Sequence, residues 1–194
     1  MNMLKRAVLL ISIILATTLL SVVNISAQKS NMMISAVAMG TSTQMGRVIN
    51  IDLRVFELSK PSDQQVLLEA FTSEGSQGLA SALDKMNSKG RMAITGTLGY
   101  DVNYIRHFKN PDGSETLRFV TDRAIRFGEA WASTRSMDYN ISIVEIIKKT
   151  VGGKVKYTGT LLPAVWPKLK KNGELEIEAY QNPWNLTNIR IHKG

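Results

Sequence analysis

The carboxylates between residues 101 and 138 are the side chains in this sequence that come nearest to a catalytic set. Two carboxylates can act as general acid and general base when both face the same reacting group. These residues lie on different predicted elements, so the sequence leaves open whether any two of them meet. The alternative is that they cap turns or form ion pairs with nearby arginines. The set consists of Asp101, Asp122, Glu129 and Asp138.

Metal and nucleophile chemistry have little support in the sequence. The two histidines, His107 and His192, show no metal-binding spacing, and we expect both at the surface. The chain has no cysteine, which excludes disulfides, thiolate ligands and cysteine nucleophiles. A serine-nucleophile elbow, a phosphate-binding loop and a dinucleotide-binding glycine pattern are also missing. We therefore predict no metal, no cofactor and no catalytic residue.

The segment 121–131 mixes charged and aromatic residues between two predicted strands. Arginine and tryptophan often dominate binding energy, and loops carried by a rigid sheet commonly hold function. We predict that residues 122–131 line the open end of the sheet and that any ligand or partner contacts them. The alternative is that its aromatic residues plug the core while its arginines pair with local carboxylates. The predicted binding residues are Asp122, Arg123, Arg126, Phe127 and Trp131.

Lysines gather in the last third of a chain whose net charge is +8. Lysine on an edge strand prevents edge-to-edge pairing, and the alternative is a surface for an anionic partner such as lipid head groups or a polysaccharide. Nucleic acid is not expected as a partner, because the chain is predicted to be exported and lacks the interleaved aromatic residues of a stacking surface. These lysines are Lys148, Lys149, Lys154, Lys156, Lys168, Lys170 and Lys171.

The first 27 residues have the layout of a secretory signal peptide. Lys5 and Arg6 precede an uncharged, mainly apolar run over 7–23, and a small residue, Ala27, offers a cleavage site. The alternative is an uncleaved membrane anchor, although the run is short for a spanning helix. Cleavage near Ala27 would release a periplasmic or secreted protein. An exported chain without cysteine is more typical of the bacterial periplasm than of animal secretion.

A helical hairpin is predicted between the first clear strand and the later ones. The Ser-x-x-Gln pattern starting at Ser62 predicts a capping box at the helix N-terminus. Gly75 is expected to break this helix, and Ser76 can cap a second arm. That arm carries an apolar stripe at helical spacing, which indicates one face packed on a core. The stripe consists of Leu79, Ala82, Leu83 and Met86.

Most of the remaining chain has strand patterns separated by turn signals. The turn signals lie at 110–113, 152–153 and 172–173, and they include the Asn-Gly pair that favours a tight hairpin. In one strand we expect Tyr100, Val102 and Tyr104 to share a face. The predicted strands cover 48–58, 100–108, 116–121, 140–147, 154–161, 174–180 and 186–191.

These patterns predict an α+β fold with a mainly antiparallel, curved sheet and one helical hairpin. The sheet is expected to be a sandwich or a partly closed barrel. The predicted organisation is a signal peptide over 1–27, an irregular segment over 28–46 and a single β-rich domain over 47–194. The irregular segment is either a leader or an irregular first strand around 34–38. A chain of this length can bury one core large enough to fold alone.

A set of short motifs between residues 47 and 191 resembles a family of uncharacterised exported bacterial proteins. The motifs include Gly-x-Leu-Gly-Tyr-Asp at 96–101, Thr-Asp-Arg-x-Ile-x-Phe at 121–127 and Met-Asp-Tyr at 137–139. The resemblance implies one exported domain and no particular activity. The expected function is therefore a non-catalytic periplasmic protein that binds a small or apolar ligand or an envelope partner. The alternative is a hydrolase that uses Asp101, Asp122 and Asp138.

Overall fold

The computed structural model describes residues 29–125, 140–170 and 175–193, which form a curved antiparallel sheet and one kinked helix. The predicted signal peptide lies outside these residues. The α+β class is confirmed, and the sheet is a nearly closed barrel. The elements are β1 Lys29–Gly40, a 3-10 helix Ser42–Gln44, β2 Val48–Glu57, α1 Pro61–Asp84, β3 Gly90–Ile94, β4 Tyr100–Val102, β5 Tyr104–Lys109, β6 Glu115–Thr121, β7 Ile141–Val151, β8 Lys154–Leu169, β9 Leu175–Ala179 and β10 Trp184–Lys193.

The sheet closes through one strand that is interrupted at Asn103. The strand order is β4-β3-β2-β1-β10-β8-β7-β6-β5, with β9 attached to β8. β4 and β5 stand at opposite ends of this order, yet only Asn103 separates them along the chain. The backbone N–H of Asn103 donates a hydrogen bond to the carbonyl oxygen of Val120 in β6, with an N···O distance of 3.1 Å. The chain itself thus joins the two ends of the sheet, which is why the barrel is nearly closed.

The first strand occupies a region that the sequence predicts to be irregular. β1 pairs with β2 on one side and with β10 on the other, so it belongs to the barrel wall. β1 covers much of the segment 28–46 and includes the possible first strand around 34–38. Two of the buried residues of β1, Ala36 and Ala38, have small side chains. Small inward residues give a weak hydrophobic pattern, which explains why the alternation was hard to recognise.

The barrel interior is filled by a contiguous cluster of apolar side chains. Opposed pairs such as Ile34 with Leu53 and Phe119 with Val144 line up across neighbouring strands. Trp184 of β10 is fully buried among them. Burial of this apolar surface is the main favourable contribution to the stability of the barrel. The cluster consists of Ile34, Ala36, Ala38, Ile51, Leu53, Val55, Met92, Val102, Ile105, Phe119, Ile125, Val144, Ile146, Leu161, Trp184 and Leu186.

The helix begins earlier than the predicted capping box. Lys60 is the N-cap residue and Pro61 takes the first helical position, where its missing N–H is not needed. The backbone N–H of Lys60 donates to Asp63 Oδ2 over 2.8 Å. The prediction that Ser62 caps the helix is therefore wrong, because Pro61 already supplies a favoured start and Asp63 supplies the carboxylate.

The predicted break at Gly75 is confirmed. Its backbone has φ 63° and ψ −148°, a conformation that residues with a Cβ rarely adopt. The two helical arms, 61–74 and 76–84, fold against each other beyond this break. A Cβ added to Gly78 would lie 2.4 Å from Ala70 O, so only glycine allows the arms to approach this closely. In the described part of the chain, no helix is long and apolar enough to cross a membrane.

The helix packs on the outer surface of the barrel, across β5 to β8. There the pairs Tyr104–Val120, Val120–Ile143 and Ile143–Leu162 form an apolar row that runs from strand to strand. Leu83, at the centre of the predicted stripe, is fully buried against this surface. The predicted stripe is therefore confirmed as the face that packs on the sheet.

Tyr104 lies on the opposite face from the one predicted. Tyr100 and Val102 pack with the interior cluster, whereas Tyr104 packs with the helix on the outside. The reason is the interruption at Asn103, which adds a residue and reverses the side-chain alternation, as a β-bulge does. Ile105 consequently returns to the interior.

Candidate functional site

The residues that follow β6 close one end of the barrel. The N–H of Ile125 lies 2.8 Å from Pro163 O and 3.0 Å from Ser142 Oγ. Ser142 Oγ also lies 2.8 Å from Arg123 O. These contacts hold the buried Ile125 side chain against the interior cluster. The residues up to Ile125 thus cover the barrel end, and their polar backbone groups are satisfied by Ser142 and Pro163.

Asp122 and Arg123 form an ion pair at this covered end. Arg123 Nη2 lies 3.2 Å from Asp122 Oδ2, and the Asp122 side chain is 7% exposed whereas that of Arg123 is 61% exposed. The hydrogen bond to Asp122 is the main reason that the pKa of Arg123 is raised, and the charges of Asp101 and Asp84 add to the effect. Arg123 therefore presents its guanidinium to solvent, with three carboxylates in its surroundings.

The predicted binding residues are described only in part. Asp122 and Arg123 are neighbours in space and in sequence, whereas Arg126, Phe127 and Trp131 lie outside the described residues. The binding role of this segment stays a prediction. Of the hydrolase carboxylates, Asp101 forms an ion pair with Arg91 at 3.6 Å. Asp138, the third of them, and Glu129 of the wider carboxylate set lie outside the described residues.

Both histidines are exposed. His107 Nε2 lies 3.0 Å from Glu115 Oε2, and His192 Nε2 lies 3.4 Å from Ser35 Oγ. Within the ranges that the structure describes, no group of three or more histidine, aspartate or glutamate side chains could hold a metal ion.

A groove of about 430 Å³ lies between the break in α1 and the second half of β8, and the sequence did not predict it. We call it the elbow groove. Helical residues around Gly75 form one wall, and three consecutive residues of β8 form the other. Ser76 Oγ donates a hydrogen bond to Pro167 O and joins the two walls. The groove is lined by Phe71, Thr72, Glu74, Gly75, Ser76, Gln77, Trp166, Pro167 and Lys168.

Residues with aromatic side chains occur in both walls of the elbow groove. Phe71 comes from the first helical arm and is largely buried, and Trp166 comes from β8 and is half-buried. Lys168 Nζ stands at the rim, 2.7 Å from Glu178 Oε2 and 3.5 Å from Glu176 Oε2. The hydrogen bond to Glu178 is the main reason that the pKa of Lys168 is raised. The rim is therefore polar but locally neutralised.

The volume of the elbow groove lies in the range of small-molecule sites, and its lining combines Phe71, Trp166 and Pro167 with polar residues. Ligand pockets typically measure about 300 to 1,000 Å³ and combine apolar walls with a few polar groups. The predicted break at Gly75 is the one sequence signal that points towards it. The opposite wall was missed because the predicted strand ends at residue 161, whereas β8 continues to Leu169.

Comparisons with known proteins find no family model, no curated protein and no solved structure that matches the chain. The resemblance to uncharacterised exported bacterial proteins therefore stays a prediction.

Proposed function

We propose that this chain is a non-catalytic, exported binding protein that holds a small ligand with apolar surface in the elbow groove. The observation that carries the proposal is the groove of about 430 Å³ with Phe71 on one wall and Trp166 on the other. Aromatic side chains offer large, rigid contact area at low entropic cost. An apolar segment of an envelope partner would use the same contacts.

The state of the polar groups in the groove supports binding rather than catalysis. Ser76 donates its hydroxyl proton to the carbonyl of Pro167, and a serine nucleophile would instead need a base within hydrogen-bond reach. Lys168 is held by two glutamates, which keep it charged and unsuited to act as a base. These groups can orient a ligand at the rim while the aromatic rings supply the contact area.

The interior of the barrel supports placing the ligand on the outside. Large side chains such as Trp184, Phe119 and Leu161 are fully buried and contiguous there. A small barrel is either filled by its side chains or holds a ligand. This barrel is of the first kind, so the elbow groove is the better binding site.

The proposal that the protein is exported rests on residues 1–27. The basic, apolar and small residues occur in the order that secretion requires. We propose a periplasmic or secreted location after cleavage near Ala27.

Titration with the fluorescent probe 1-anilinonaphthalene-8-sulfonate tests the groove. The probe should bind with one-to-one stoichiometry, and Trp166→Ala should weaken binding about tenfold because it removes one aromatic wall. Phe56→Ala is the matched control, since Phe56 is an exposed aromatic residue on β2, away from the groove. Equal probe affinity in both variants, with both folded by circular dichroism, would contradict the groove as the site.

A carboxylate-dependent hydrolase is the second candidate. The observation in its favour is that the buried carboxylate of Asp122 forms an ion pair with Arg123, whose pKa the charges of Asp101 and Asp84 also help to raise. Chromogenic esters, phosphates and glycosides are suitable substrates for a screen. If this candidate is correct, Asp122→Asn should abolish an activity of the wild-type protein while circular dichroism shows that the variant is still folded. Wild-type protein without activity on any of the three classes would weigh against it.

A further inference from the structure

The hairpin formed by the end of β7 and the start of β8 projects from the barrel. Every residue from 149 to 156 is exposed, on both faces of the hairpin, and the turn is made by Gly152 and Gly153. β10 pairs with β8 only around Thr160. Within the described ranges, the outer edge of β8 over 154–158 therefore has no strand partner. We call residues 149–156 the basic hairpin.

Positive charge is concentrated on this hairpin although repulsion between the lysines lowers its stability. Lys149 lies directly opposite Lys156 in the strand pairing, and like charges in that position are destabilising. Lys149 Nζ is compensated by Asp112 Oδ2 at 2.9 Å. Lys154 and Lys156 form no salt bridge within the described part of the chain. Lys156 stands opposite another lysine and Lys154 opposite Val151, so the hairpin carries two lysines without a carboxylate partner in the described ranges, and this charge suits an anionic partner.

The same hairpin also exposes apolar side chains. Val151 is 48% exposed and Val155 is 50% exposed, one on each face beside the glycine turn. Lysine alone is enough to protect an edge strand from pairing with another chain, so protection does not explain valines at the tip. Apolar residues next to cationic ones fit the interface of a bilayer, where the apolar groups reach the acyl boundary and the cations meet the head groups.

We propose that the basic hairpin is a docking surface for a membrane that contains anionic phospholipids. Lys154, Lys156 and Val151 share one face of the hairpin. The two lysines contact the lipid phosphates, while Val151 enters the interface beside them and Val155 enters it from the other face of the tip. Each lysine near an anionic bilayer contributes about fivefold in affinity, so the two together contribute about 25-fold. The elbow groove plays no part in this contact, and the proposal does not depend on it.

Sedimentation with lipid vesicles at low ionic strength tests the proposal. Wild-type protein should bind vesicles of equal parts phosphatidylcholine and phosphatidylglycerol, and should not bind pure phosphatidylcholine. Lys154→Gln combined with Lys156→Gln should lower the affinity about 25-fold. Arg54→Gln with Lys85→Gln removes the same charge from exposed positions elsewhere and should change binding much less. Equal losses in the two double variants would overturn the proposal.

A second pair of substitutions separates a bilayer from a soluble polyanion. Val151→Ser with Val155→Ser keeps the charge and should still reduce binding to the anionic vesicles severalfold, because apolar contact with the interface is lost. Competition by dextran sulfate provides the comparison. If the valine variant binds vesicles as the wild type does, and dextran sulfate binds as tightly as the vesicles, the partner is an anionic polysaccharide and the lipid proposal is wrong.

Discussion

Leu83 provides the sharpest test of how the helix is attached to the barrel. Its side chain is fully buried and packs with the outer apolar surface around Tyr104, Ile143 and Val165. Leu83→Ala removes three carbon atoms, which at about 0.8 kcal/mol per buried methylene accounts for roughly 2.4 kcal/mol. The cavity left behind adds to this loss, and measured costs for buried Leu→Ala changes are about 2.7 to 5.0 kcal/mol. We therefore expect a loss of about 3 to 4 kcal/mol.

Urea unfolding followed by circular dichroism measures this loss, and Leu68 supplies a matched control. Leu68 belongs to the first helical arm but is 60% exposed, so Leu68→Ala should change the free energy of unfolding by less than about 0.5 kcal/mol. The comparison also cancels the small gain in helix propensity that alanine brings. If the two variants lose equal stability, or Leu83→Ala loses less than about 0.5 kcal/mol, the helix does not cover the sheet as described.

Four further outcomes are expected. Gly75→Ala should lower the free energy of unfolding by about 1 to 3 kcal/mol, measured in urea, because φ of 63° and ψ of −148° strain any residue with a Cβ. The hydrogen bond from Lys89 lowers the pKa of Glu57 in the folded state. The ionised Glu57 therefore stabilises the fold above its ordinary pKa of about 4.5, and this stabilisation is lost as the pH falls. Glu57→Gln should consequently flatten the decline in melting temperature from about pH 5 to pH 3. Lys156→Gln should raise stability by a few tenths of a kcal/mol, since it relieves a cross-strand repulsion, and an unchanged urea midpoint would contradict that. Intact-mass measurement of envelope-purified protein should give a species cleaved near Ala27, and retention of the first residues would refute cleavage.

Regular alternation made parts of the fold predictable from sequence. In β7 the apolar residues divide between the two faces, and the structure packs Ile141 and Ile143 with the helix and Val144 and Ile146 in the barrel. The apolar stripe around Leu83 was equally readable, because a period of 3.6 residues marks one helix face.

Local irregularities in the strands could not be predicted from the sequence. The interruption at Asn103 places Tyr104 on the outside of the barrel. The residues around Asn103 contain no pattern that predicts such a bulge. Pro163 and Pro167 both favour an early end to β8, yet the strand continues through them to Leu169. The carbonyl of Pro163 accepts a hydrogen bond from Ile125, so this irregular position is used to attach the loop that covers the barrel end.

The elbow groove was beyond prediction because its walls are distant in the sequence. Ser76 and Pro167 are 91 residues apart, and their contact depends on how α1 lies across the barrel. Short sequence patterns determine each wall separately and carry no information on the space between them. The segment 121–131, in contrast, has its charged and aromatic residues next to one another in the sequence, so a short pattern is enough to indicate a binding loop there.

Native mass spectrometry of protein purified from its own envelope tests the central claim most directly. If the elbow groove holds a ligand, the wild-type protein and the Phe56→Ala control should both carry the same additional mass. Trp166→Ala should lack it while remaining folded, because Trp166 supplies one wall of the groove. Retention of the additional mass by Trp166→Ala, or its absence from the wild-type protein, would contradict the proposal that this groove is the binding site.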